Sequence, residues 1–299
     1  MSITSQPGVH LTPSGPDPRP AFVAMFEAVR AYLLTDGAAP EARAAVATNP
    51  KGEATRAFDA RAEEIALAVA RQRLGAFTVF SEEAGTLTIG AAPQWTLVLD
   101  PCDGSNNFRR GIRAVGFAVA ALPAGAPLDP ARVEYAVCGD VFTGAVYTAA
   151  RGQGATLDGR PIQSAATAAL ERAVVGVNLG RERPSADAAS MEGAQAGDTP
   201  ASARVGELLH RISTLRRTGA TVLDLCYVAQ GAYDAYVDLR GRLTPENFLA
   251  PALVLHEAGA RLTDARGEPL GAVEFTQPYR VLAAGNQTLL AALLAALAG

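Results

Sequence analysis

The sequence predicts a layered α/β sandwich, an αβαβα arrangement whose amino-terminal half is α+β with an antiparallel sheet and whose carboxy-terminal half is α/β, with a site between them. Three observations carry that prediction. The chain has 299 residues, enough for one large domain or two packed subdomains. Its first half places two helical stretches before a run of short strands, whereas its second half alternates strand and helix. Hydrophobic residues make up 49% and charged residues 19%, the balance of a chain that buries a core.

Residues 1–19 read as a flexible tail, being rich in Pro, Ser and Gly and without the basic start and apolar stretch of a signal peptide. Apolar residues at helical spacing then predict helices over 20–34 and 60–74, both ahead of the first strand. "FTVFSEE" and "QWTLVLD" read as short strands ending in carboxylates, and "AVGFAVAAL" and residues 133–150 continue as strands. A sheet thus delivers Glu82, Glu83 and Asp100 at strand ends. "RGQGATLDGRPI" is a turn-rich hairpin closing a first unit at about residue 165, and its GxG has no following helix to make it a dinucleotide fingerprint. The second unit, 166–299, opens with "ERAVVGVNLG". A small, polar run over 181–203 predicts a loop, followed by helix over 204–215, strand-like 215–220, and helix over 221–231 closed by Gly231. Strand over 233–239, helix over 245–259, strand over 279–285 and an amphipathic terminal helix complete the chain.

Composition also narrows the function. The net charge is −4 and no block of like charges stands out, which argues against nucleic acid or an anionic membrane as partner. Cys102, Cys138 and Cys226 are odd in number and far apart, as suits reduced thiols in the cytoplasm, the last two as small buried hydrophobes. His10, His210 and His256 are equally scattered, so any metal site must be built from oxygen ligands.

The stretch "LDPCDGSNNF" sets Asp100 and Asp103 around a Pro turn and follows them with Gly104 and Ser105. Crowded carboxylates need a cation or a proton, and a hard divalent metal is one reading; an Asx-type turn capping a helix is the other. Gly104 permits close backbone approach, and the N–H groups at the start of the next segment would attract a phosphate. Metal carboxylates beside an anion-binding turn are the components of phosphoryl transfer.

"DPCDGSNNF" resembles the DPxDGTxNF signature of the inositol monophosphatase and fructose-1,6-bisphosphatase superfamily. "KGEATRAFDARAEE", "FSEEAG", "LDLCYVAQGAYDAYVD" and "HEAGARLTD" are similar to further family segments in the same order. "GIRAVGFAVA" and "GATLDGRPI" are closest to the archaeal-type bifunctional branch. The likeness spans about residues 20–299 and implies the layered fold of sugar phosphatases, a homodimer, and Mg²⁺-dependent hydrolysis of a small phosphate monoester. Two or three Mg²⁺ ions, with Mn²⁺ as an alternative, are implied as cofactors, and a small phosphorylated metabolite as partner. By the same resemblance Glu82 holds one metal and orients the attacking water, with Glu83 beside it. Asp100 bridges two metals, the Cys102 carbonyl completes the first shell and Asp103 holds the second ion. Ser105 polarises the water, the backbone of Gly104 and Ser105, with Asn106, grips the phosphate, and Asp59 assists a third ion. Arg216, Gly219, Ala220 and Asp238 fall where the family contacts the sugar or inositol ring.

One position departs from the pattern. Ten residues before Glu257 the family has a ligating aspartate, and here Asn247 stands there as the expected metal ligand, its amide oxygen able to coordinate Mg²⁺ but bringing no charge and so binding the second ion less strongly. Glu246 is adjacent, but successive side chains at a helix start differ by about 100° in direction, which disfavours a direct exchange. The leading expectation is a phosphatase acting on inositol monophosphate or fructose 1,6-bisphosphate. The alternatives are a 3′-phosphoadenosine 5′-phosphate phosphatase and a catalytically impaired phosphate-ester-binding protein.

Overall fold

The computed structural model describes residues 16–52, 54–180 and 201–298. The tail expected at the amino terminus therefore lies largely outside the described residues, with Arg19 already the first residue of a helix. In that helix, α1 (Arg19–Leu33), the apolar spacing buries Phe22, Met25, Phe26, Val29 and Leu33. It packs against α2 (Ala57–Leu74), which buries Phe58, Ala62, Ala66 and Ala70.

Between these helices lies an unexpected antiparallel hairpin, β1 (Ala45–Thr48) and β2 (Ala54–Arg56). All four residues of β1 are exposed, so no alternation of apolar and polar residues marks it in the sequence. β3 (Phe77–Ser81), β4 (Gly85–Ile89), β5 (Trp95–Asp103), β6 (Gly116–Pro123), β7 (Tyr135–Asp140), β8 (Val146–Ala150), β9 (Ala155–Leu157) and β10 (Arg160–Pro161) form an eight-stranded sheet of order 10-9-8-7-6-5-3-4. Its ladders are antiparallel except for the parallel pair β3 and β5, because β4 turns back to the edge and leaves β3 to pair with the next strand. All nine residues of β5 are buried, and Trp95 packs edge-on against Tyr135.

The second sheet has order 12-11-13-15-14, from β11 (Val174–Asn178), β12 (Thr214–Arg216), β13 (Ala235–Leu243), β14 (Arg261–Thr263) and β15 (Tyr279–Ala284). Four helices accompany it among the described residues: α4 (Ala201–Leu209), α5 (Thr221–Ala229), α6 (Pro245–Glu257) and α7 (Gln287–Ala298). The predicted loop over 181–203 falls mostly outside the described residues, and its last three residues already belong to α4. The predicted helix over 204–215 stops at Leu209, because Thr214 to Arg216 pair in parallel with β11. The strand expected over 215–220 correspondingly ends at Arg216.

Three apolar cores define the layers. One joins α1 and α2 to the first sheet, a second fills the space between the two sheets around α5 and α6, and a third joins the second sheet to α4 and α7. The order is α, β, α, β, α, as the sequence predicts. Glu257 at the end of α6 accepts hydrogen bonds of 2.8 Å from the N–H groups of Gly152 and Gly154, tying the middle helix layer to the hairpin of the first unit.

Candidate active site

β5 carries the site because its carboxyl end emerges between the layers. Asp100 is fully buried there and accepts from the Cys102 N–H at 3.0 Å. The pairing of β5 with β6 shifts between Asp100 and Asp103, so the strand turns and both aspartates face into the protein. Asp103 accepts at 2.7 Å from the N–H of Val222, in the first turn of α5. Gly104 then bends the chain at φ 100°, where an added Cβ would lie 3.0 Å from the Ala114 carbonyl oxygen. α3 (Ser105–Arg109) begins directly after it.

Ser105 joins this turn to α2. Its hydroxyl lies 2.9 Å from Asp59 Oδ1 and 3.1 Å from the Cys102 carbonyl oxygen, within donating reach of both. A cavity of about 240 Å³ opens above the pair, lined by Asp59, Glu82, Glu83, Ser105 and Asn106, with Arg56 and Arg109 among the remaining residues. Glu82 and Glu83 sit in the turn after β3. Glu83 is fixed from both ends, its N–H donating to Glu63 at 2.9 Å and its carboxylate accepting from Thr55.

Not every residue expected at the site lines this cavity: Asp100, Cys102 and Asp103 are buried behind it, and Gly104 and Asn247 are outside its lining as well. Gly219 and Ala220 lie against Asn107 and Gly104, because the Asn107 amide donates at 2.9 Å to the carbonyls of both Ala114 and Thr218. Arg216 is exposed on β12 and lies outside the lining. Asp238 is fully buried and ion-paired with Arg240, which also donates its backbone N–H to it at 3.0 Å.

Asn247 sits in the first turn of α6 with its carboxamide committed at both ends. Its Oδ1 accepts from the Thr244 N–H at 3.1 Å, half of a capping box, and its Nδ2 donates to Asp100 Oδ2 at 3.0 Å. Turning the amide over would set an NH₂ against the Thr244 N–H and an oxygen against Asp100, so the network fixes its sense. The atom facing the carboxylates is therefore a nitrogen, where the sequence comparison calls for a ligating oxygen.

One neighbour escaped the sequence reading, and it pairs with Glu246, which that reading disfavours as a substitute for Asn247. Lys51, in the turn of the β1–β2 hairpin, forms an ion pair with Glu246, lies 3.0 Å from Thr244 Oγ1 and stands over the Phe275 ring. Glu246 is 2% exposed. The partners of that pair are 195 residues apart, and only the fold brings them together.

Burial dominates the electrostatics. Desolvation raises the pKa of Glu82 and Asp100 well above the usual carboxylate range; Asp100 and Glu246 add to the shift of Glu82, and Asp103 and Glu246 to that of Asp100. Asp103 and Asp59 are each pushed up to about 7, again chiefly by burial. Lys51 opposes the rise at Glu82 and Asp100, and Arg240 opposes it at Asp103. Such a group takes up protons or a cation. Among the described residues no three His, Cys, Asp or Glu side chains form a ready-made coordination shell. A backbone carbonyl such as that of Cys102 can join carboxylates in an oxygen shell. By donor type and excess charge the oxygen-rich cluster fits a hard divalent ion.

A family model described as the inositol monophosphatase family matches residues 21–299. A fructose-1,6-bisphosphatase/inositol-1-monophosphatase of Methanothermobacter thermautotrophicus is 32% identical over 245 residues, covering 80% of this chain and 81% of that protein. The Nus factor SuhB of Escherichia coli is 29% identical over 209 residues, covering 70% of this chain and 71% of that protein. In fold, the extragenic suppressor protein SuhB of Bartonella henselae superposes with a TM-score of 0.75 at 22% identity, over 93% of this chain and 97% of its own.

Proposed function

We propose that this chain, which belongs to the inositol monophosphatase family, is a Mg²⁺-dependent phosphatase that hydrolyses small phosphate monoesters with a water nucleophile. The observation that carries the reading is the chain of contacts from Asp59 through Ser105 to the Cys102 carbonyl, with Asp59, Ser105 and Glu82 lining one cavity and Asp100 and Asp103 buried on the same β5 segment as Cys102. Glu82, Asp100, Asp103 and the Cys102 carbonyl would hold the metal, which when bound supplies charge neutralisation and lowers the pKa of an attacking water.

With its hydrogen directed to Asp59, Ser105 presents lone pairs to the cavity and orients a water by accepting from it. Asp59, which accepts from the Ser105 hydroxyl, is the group to which a proton passed along that contact would go. Backbone N–H groups of Gly104 and Ser105 hold the phosphate oxygens, and Arg56 and Arg109 make the cavity attractive to an anion. The contact of Gly219 and Ala220 with this turn supports a part for them in shaping the ring side of the site.

Inositol monophosphate and fructose 1,6-bisphosphate are the leading substrates, in keeping with the bifunctional name of the archaeal relative. The placement of Asn247 favours one second reading, a phosphate-ester binder with weakened turnover. No described helix is long and apolar enough to cross a membrane, and a cytoplasmic homodimer is proposed from the family likeness. Phosphate release from myo-inositol 1-phosphate, fructose 1,6-bisphosphate and 3′-phosphoadenosine 5′-phosphate across a Mg²⁺ titration tests the proposal, with Asp100→Asn as control. Release that saturates in Mg²⁺ and vanishes in the control is expected; release indifferent to Mg²⁺ or to Asp100 would refute it.

A further inference from the structure

We infer that Glu246, and not Asn247, is the fourth acidic ligand of the metal centre, held in place by Lys51. This rests on the metal-dependent reading above and names a ligand within it. The first ground is geometry at Asn247: its oxygen caps α6 on the Thr244 N–H, and its nitrogen faces Asp100. An aspartate could keep one oxygen on that cap and offer the other to a cation, but an asparagine in the same pose offers an N–H, which ligates no metal.

The second ground is an orphan oxygen. Glu246 Oε1 is fully engaged, by the Lys51 ammonium and the Thr244 hydroxyl. Glu246 Oε2 is buried and has no hydrogen-bond partner. A buried carboxylate oxygen left bare is costly unless a cation comes to it. The hydrogen bond of Asn247 to Asp100 brings the start of α6 against β5, so the neighbouring Glu246 stands close enough for its charge to act on Glu82, Asp100 and Asp103.

The carboxylate count is thus preserved although its position along the helix moves by one residue. The different direction of the side chain is offset by its greater length, and the lysine that grips one oxygen leaves the other unpaired. Lys51 is a positioning residue in this arrangement. Thr244 and the Phe275 ring hold its ammonium from other sides.

Mn²⁺ binding, followed by the electron paramagnetic resonance signal of the free ion, tests the assignment without reference to turnover. Glu246→Gln is expected to lose one bound Mn²⁺ or to weaken one site at least about tenfold, as when a charged ligand becomes neutral. Asn247→Ala is expected to keep the wild-type number. Should Glu246→Gln fail to fold, Glu246→Asp, which withdraws the carboxylate by one methylene, is expected to weaken the same site. Wild-type binding by both Glu246 variants, or loss of an ion in Asn247→Ala alone, overturns the assignment while leaving the metal centre standing. No Mn²⁺ bound by the wild type would overturn the metal reading itself, and the assignment with it.

Discussion

Asn247→Asp restores the residue expected from the family pattern, and the structure predicts that without metal it damages the protein. The Asn247 amide donates to Asp100 Oδ2 at 3.0 Å. An aspartate in that pose sets oxygen against oxygen at the same distance. At an effective dielectric of about 20, two unit charges ~3 Å apart repel by roughly 5 kcal/mol, and a proton shared between them relieves part of that. Removing a hydrogen bond to a charged group adds roughly 1.5–3 kcal/mol. A net loss of about 3–6 kcal/mol corresponds to a fall in Tm on the order of 10 °C for a chain of this size. Thermal unfolding followed by circular dichroism, at pH 8 in a chelator, reads this directly. The deficit should shrink as the pH is lowered and the pair takes up a shared proton, and shrink again in Mg²⁺. An ion at about 100 times its Kd returns roughly 2.7 kcal/mol. The rise in Tm on adding Mg²⁺ should therefore be larger in the variant than in the wild type. If Asn247→Asp melts with the wild type in chelator at pH 8, the contact between Asn247 and Asp100 is not as described and the reasoning from it fails.

Ser105→Ala removes the hydroxyl between Asp59 and the cavity, and kcat should fall roughly 10²–10³-fold with little change in KM. Because Asp59 and Ser105 act as a unit, the double variant with Asp59→Asn should be scarcely slower than either alone; additive losses in steady-state kinetics would separate them. Gly104→Ala forces a side chain into φ 100° and towards the Ala114 carbonyl oxygen, and should cost roughly 1–3 kcal/mol in urea unfolding. Asp224 is fully buried in α5 with a pKa pushed up to about 7 by desolvation, against 3.8 for the ordinary group. The folded state thus binds its proton more tightly than the unfolded state, and the stability it contributes is complete below about pH 4 and is lost as pH rises towards 7. Asp224→Asn should gain roughly 2–4 kcal/mol on the wild type at pH 8 in chelator, an advantage that disappears near pH 4. An advantage independent of pH would refute the assignment.

Where the sequence was legible, a strong local pattern and the tertiary structure agreed. α1 and α2 keep their apolar faces, β5 begins as a largely apolar run over 95–99 because both its faces are covered, and "DPCDGSNN" places two carboxylates, a positive-φ glycine and a helix start in one stretch. What escaped had no local signal. β1 is exposed at every residue and β4 buries little beyond its first. The boundary between α4 and β12 is set by pairing with β11, which overrides the continuing helical spacing. Lys51 could not be assigned from its neighbours in sequence, because its place is defined by Glu246, Thr244 and Phe275, all contributed by the other half of the chain.

That long-range contact changes what Asn247 means. Read along the sequence, an amide in place of an acid is a lost charge and a weakened centre. In the folded chain the charge reappears one residue earlier, paired with a lysine from a hairpin that no periodicity marks. The two substitutions make physical sense only together: with aspartate at 247 as well, Glu246 would be a further carboxylate crowded against Asp100, and without Lys51 it would be a buried charge held by the Thr244 hydroxyl alone, with no counter-charge. Asn247 then acts as the neutral spacer that lets Glu246 and Asp100 coexist, donating a hydrogen bond to one while its backbone carries the other's helix. On this argument the identity of residue 247 is not a measure of lost activity by itself. The pair 246 and 247 must be judged with residue 51, and a relative with asparagine at the second position but no acid before it would be expected to bind the metal less tightly than this chain does.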